Sequence, residues 1–213
     1  MTHPPTPPTA GIHPEGDAPP DPRAGLPPLL TLGDFRLAQP SAPVPPAEIP
    51  TPEFQARLGV LLLALEVYGA NGVAAPQLGW FQRYFVMRDP GGSGAILTWI
   101  NPVATPTTSE QVWYWEGCLS VPGYKAFVGR AAAIAVTGLD AQGQPLNRTF
   151  RGWESHLFQH EFDHLDGILF PYRVADPRHM VRTEELDRRS HWPKDWPATG
   201  AGSAPIRAFR SKA

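Results

Sequence analysis

In His160-Glu161-Phe162-Asp163-His164 the two histidines stand four residues apart, so on a helix both imidazoles leave one face and can share a metal ion. Glu161 then sits about 100° round the helix from His160, where its carboxylate reaches a water on that ion without being a ligand itself. The flanking residues are largely apolar and aromatic, which partly buries the His/Glu face. Buried ionisable groups are costly unless they bind something.

A hydrolytic site of this kind needs a third protein ligand and one open position. His156 continues the stripe, but eight residues of helix rise about 12 Å, too far for His156 and His164 to meet at one ion. It reads as a pocket or packing histidine. Phe170 falls where the metzincin pattern has its third histidine and cannot ligate. Glu184 and Glu185 stand at a distance that suits a zinc endopeptidase with its third ligand on a following helix. Cys118, the single cysteine, lies in Glu116-Gly117-Cys118-Leu119-Ser120, a polar and flexible setting that fits a coordinating thiolate better than a core thiol.

The stretch Gly69-Ala70-Asn71-Gly72-Val73-Ala74-Ala75-Pro76-Gln77 has little side-chain bulk and lets a backbone approach a ligand closely. The amide of Gln77 is the type of donor that stabilises an oxyanion. A non-catalytic metal or peptide-binding protein would need neither this donor nor Glu161.

These segments must be held by helices and strands. Phe54, Leu58, Leu61, Leu62 and Leu65 recur at helical steps, predicting a helix over Pro52–Tyr68 with Thr51 as cap and Gly69 as stop. Strand-like runs follow at 84–87, 96–100, 112–115 and 133–139, the last turning through 140–143 into 145–150. A second helix is expected from about Gly152 to Leu165. The order helix, strands, helix indicates an α+β fold of antiparallel strands packed around the HExxH helix.

Of 27 prolines, 16 fall within Met1–Pro52, and residues 1–28 have few apolar side chains to bury. They read as a mobile extension, residues 29–192 as the catalytic domain, and residues 193–213 as an irregular, frayed or loosely docked tail. With 18 Lys+Arg against 20 Asp+Glu, the net charge of −2 argues against a duplex-DNA binder. One cysteine excludes an intramolecular disulfide, and the longest apolar run, Val60–Leu65, is too short to span a bilayer. A cytoplasmic protein is expected.

Taken together, the loop ending in Gln77, the run Glu116–Ser120 and HEFDHLDG at His160–Gly167 resemble, in order, the three motifs of the peptide deformylases. The resemblance spans about Leu29 to Asp176. It implies a Cys118/His160/His164 metal site, Fe2+ by preference with Zn2+, Ni2+ or Co2+ as substitutes, and removal of the formyl group from N-formylmethionyl nascent chains, near the ribosome and by a monomer. It favours Cys118 over Glu184, makes Glu161 the base, and adds the Leu119 N–H to Gln77 as oxyanion donors. Asn71, Gly72, Tyr114, Lys125 and Leu157 become candidate substrate contacts. Ala70 stands where the family usually has a glycine, and Lys125 where an arginine is frequent.

Overall fold

Thr51 begins the first helix: its hydroxyl accepts the Phe54 N–H at 3.3 Å, and Pro52 fills the first turn of α1 (Pro52–Val67). The helix stops where Gly69 takes a φ of +57°, and its buried stripe of Phe54, Leu58, Leu61 and Leu65 faces inward. The structure is a computed structural model that describes Asp21, residues 23–89, Gly91 and residues 93–206. Most of the proline-rich extension, residues 1–20 and 22, lies outside the described residues.

Eight strands follow among the described residues: β1 (Gly72–Ala74), β2 (Tyr84–Arg88), β3 (Ile96–Pro106), β4 (Gln111–Cys118), β5 (Val121–Ala131), β6 (Ala133–Leu139), β7 (Pro145–Arg151) and β8 (Met180–Arg182). Helix α2 (Trp153–Leu165) lies between β7 and β8, and the short α3 (Thr183–Asp187) follows β8. All ladders are antiparallel and form two sheets, in the orders β1-β2-β3-β6-β7 and β4-β5-β8. The fold is α+β. Helix α1 packs on β1 and β2, where the Phe54 and Tyr84 rings meet at 5.0 Å. Helix α2 touches β1, β2 and β7 of one sheet and β4 and β5 of the other. Its Phe158 fills a cluster with Phe85, Trp99 and Phe150, which leaves the other faces of the helix for the polar residues.

Several elements differ from the sequence expectation. Strand β3 continues past Ile100 because Asn101, at φ +49°, makes a bulge and exchanges two 2.8 Å hydrogen bonds with the Val44 backbone. Strand β5 was not expected at all, since Pro122 and Gly123 (φ +79°) interrupt its alternation, yet its pairing with β4 is what carries Cys118. Of the two readings of the tail, frayed or loosely docked, residues 193–206 follow the second. Ala201 is fully buried and its carbonyl accepts the Trp115 indole N–H at 2.8 Å. The ordered body also begins earlier than Leu29, because Leu26 packs with it against the α1 cluster.

Candidate active site

Strand β4 delivers Cys118 at its last position, beside the tight turn into β5, and α2 delivers His160 and His164 one turn apart. One ligand atom from each of the three lies within 4.8 Å of the others, and Cys118 Sγ is 3.3 Å from His164 Nε2. Among the described residues no other group of three His, Cys, Asp or Glu side chains converges in this way. One sulfur and two imidazole nitrogens are a donor set for Fe(II) or Zn(II), and three protein ligands leave a position open. The residues fit a metal ion. Glu184 and Glu185 do not join them: they are exposed and paired with Arg182 and Arg188, so the endopeptidase ligand set is not formed.

Behind the trio lies a buried charge network. His160 Nδ1 is 2.7 Å from Glu116 Oε2, which turns its Nε2 toward the ligand position. Arg130 holds the same carboxylate through Nε (2.5 Å) and Nη2 (3.0 Å) and reaches Asp163 through Nη1 (2.7 Å); Arg173 closes on Asp163 from the other side at 2.7 Å. Burial would raise the Glu116 carboxyl, but Arg130, His160 and His156 outweigh it and hold the group well below its ordinary value. Burial, together with the nearby charges of His160 and Arg130, pushes His164 well below its own ordinary value. Sequence reasoning did not find Arg130 or the role of Glu116. A lone arginine among the small and apolar residues of Ala126–Ala131 is the signal that was there, because a buried guanidinium requires carboxylates.

Glu161, one residue after His160, is buried with Oε2 free of any hydrogen-bond partner. Burial pushes its carboxyl up from 4.5 to about 7, the range in which a group can both take and return a proton at neutral pH. Gln77 comes from the short helical turn Ala75–Leu78 after β1. Its Oε1 accepts the Ala74 N–H (2.9 Å), which aims the amide nitrogen at Ser120 Oγ (3.1 Å) and Cys118 Sγ (3.4 Å). The N-terminal segment ties both residues down, as Leu30 N–H donates to the Gln77 carbonyl and Leu32 N–H to that of Ser120.

A cavity of about 330 Å³ opens over these groups, lined by Asn71, Gly72, Gln77, Cys118, Leu119 and Glu161 among others. Lys125 and Leu157 line it too, and burial lowers the Lys125 ammonium below its ordinary value. Tyr114 differs from the expectation: it is not part of the cavity wall and packs edge-on against Trp153 and His156 at 5.3 and 5.0 Å. The reason is strand alternation, which brings Tyr114 to the side of β4 covered by the start of α2. His156, read as a pocket or packing residue, lines the cavity, with Nε2 2.5 Å from Glu116 Oε1.

Residues 26–180 match the polypeptide deformylase family. Peptide deformylase 1 of Nitrosomonas europaea is 37% identical over 166 residues, covering 75% of this chain and 93% of its own. Peptide deformylase 2 of Xanthomonas campestris is 40% identical over 165 residues, covering 77% and 96%. Among solved structures, the peptide deformylase of Thermotoga maritima superposes with a TM-score of 0.65 at 30% identity, covering 71% of this chain and 99% of its own. The Met-Ala-Ser-bound class I type b enzyme of Acinetobacter baumannii gives 0.65 at 29%, covering 70% and 98%. With the fold, the converging trio and these relatives in agreement, the chain belongs to the polypeptide deformylase family and is an enzyme that removes the N-terminal formyl group of new polypeptides.

Proposed function

We propose that Cys118, His160 and His164 hold a ferrous ion, replaceable by zinc, nickel or cobalt, and that Glu161 carries the proton of the reaction. The observation that carries this reading is the convergence of the three ligand atoms within 4.8 Å of one another beside a buried carboxylate with an unpartnered oxygen. When bound, the ion supplies a Lewis acid that polarises the formyl carbonyl and lowers the pKa of water. Glu161 accepts a proton from the attacking water and returns it to the amine as the carbon–nitrogen bond breaks, so the products are formate and a free N-terminus. The Gln77 amide and the Leu119 N–H donate to the formyl oxygen as it gains charge. The Ala74 N–H that holds Gln77 Oε1 keeps this donor oriented before substrate arrives.

The peptide has a ready place. Strands β1 and β4 are each paired on one side only among the described residues, and both edges border the cavity at Gly72 and at Trp115–Gly117. A formylated chain lies extended between them, running antiparallel to β4, its methionine side chain toward Trp153, His156 and Leu157 of α2. Asn71, Gly72 and Lys125 contact its backbone. The HExxH helix is the element around which the two sheets assemble. The enzyme acts as a cytoplasmic monomer on chains leaving the ribosome, with residues 29–192 carrying the chemistry. The near-neutral charge and the absence, among the described residues, of a helix able to cross a membrane support that setting.

Elemental analysis of purified variants tests the reading. Cys118→Ser, His160→Ala and His164→Ala each lose metal, while Glu161→Ala retains it. Full metal content in Cys118→Ala would overturn the ligand set.

A further inference from the structure

The family match ends at residue 180, yet Thr183 and Ile206 also line the peptide cavity. Ile206 is brought there by a docked segment, not by a helix or strand. The carbonyl of Ala201 accepts the Trp115 indole N–H at 2.8 Å, and Ala201 is fully buried. Ala198, Ala204 and Ile206 pack with it against Trp115, Phe127 and Leu186. The segment is irregular but held: Ala201 N–H donates to the Ala198 carbonyl and Ala204 N–H to that of Gly200, both at 3.0 Å. An apolar side chain fixed in this way at the rim of a substrate cavity is a surface for another apolar side chain.

Strand geometry says which one. Trp115 and Glu116 are consecutive in β4 and point to opposite faces, Glu116 to His160 on α2 and Trp115 to the docked segment. An extended peptide along the same edge alternates with the same period. If its first side chain turns toward α2, its second turns toward the face where Ile206 packs beside Trp115.

We propose that the C-terminal segment is a specificity wall of the cleft, and that Ile206 contacts the side chain of the residue following the formylmethionine. Substrates with a branched apolar second residue are favoured over those with glycine, which offers nothing for Ile206 to cover. This contact is the same in substrate and transition state, so it acts on KM and leaves kcat nearly constant.

The inference rests on the deformylase reading, which formate release by the parent enzyme tests on its own. The wall is tested by comparing kcat/KM for formyl-Met-Leu and formyl-Met-Gly peptides with otherwise identical sequences. The parent prefers leucine by about tenfold, the worth of a few well-packed methylene groups in a partly open site. Ile206→Ala brings the ratio to about two through KM, and Ile206→Val shifts it less in the same direction. Ile49→Ala removes buried packing from the separate α1 cluster, away from the wall and the cavity, so it lowers the melting temperature and keeps the parent ratio. A parent ratio near one, an unchanged ratio in Ile206→Ala, or an equal shift in Ile49→Ala would each overturn the proposal.

Discussion

Gly72 and Glu161 are in direct contact: a Cβ added to Gly72 would lie 2.4 Å from Glu161 Oε1 and 2.5 Å from its Cδ. The backbone of β1 is therefore the wall against which the carboxylate rests, and only glycine leaves room for it. Gly72→Ala must push the carboxylate away from the reacting atoms. We expect kcat to fall by about 10- to 100-fold, since displacements near 1 Å cost that much, with metal content unchanged. Parallel kinetics and elemental analysis check this, and an unaltered kcat would place the working position of Glu161 elsewhere.

The Glu116 carboxylate joins His160 to Arg130, and its removal has two consequences. Glu116→Gln leaves Arg130 with Asp163 and Arg173 but without its own full counter-charge, at a cost of about 3–5 kcal/mol. It also releases the His160 ring, so metal affinity falls by about 10- to 100-fold. Thermal melting of the metal-free protein reads the first effect and competition with a chelator the second. A loss of stability with full metal affinity would make the network structural only.

Much of this was legible from residue types and spacing. Local signals sufficed where they were unbroken: Thr51-Pro52 and the leucine stripe gave α1 to within a residue, and the HExxH spacing gave the two histidines one turn apart on α2. The expectation was less complete where a tertiary contact overrides a local signal. Asn101-Pro102 looks like a strand end, but Val44 supplies the hydrogen bonds that carry β3 through it. The tail has no periodicity, and its docking depends on the Trp115 indole, 86 residues away in sequence. Arg130 lies 14 residues from Glu116 and 33 from Asp163, and no short pattern records that they meet.

Metal-free protein should show an unusual pH dependence at Glu161. Burial raises this carboxyl from 4.5 to about 7 on folding, so between those values the folded state binds more protons than the unfolded one. Its contribution to stability therefore falls as pH rises through that window. Glu161→Gln removes the decline: the variant is more stable than the parent at pH 8, by about 1–3 kcal/mol, and the difference vanishes near pH 4. Denaturant titrations across pH check the sign, and a parent more stable than the variant at pH 8 would contradict it. A bound cation favours the carboxylate and shrinks the difference.

The account is tested most directly by formate release from a formyl-Met peptide, measured for anaerobically prepared Fe(II) protein alongside Glu161→Gln. The parent releases one formate per peptide deformylated, and Glu161→Gln keeps its iron while turnover falls by about 100- to 10,000-fold, the range for loss of a general acid–base group. Iron-loaded Glu161→Gln working at the parent rate would contradict the central assignment of proton transfer to Glu161.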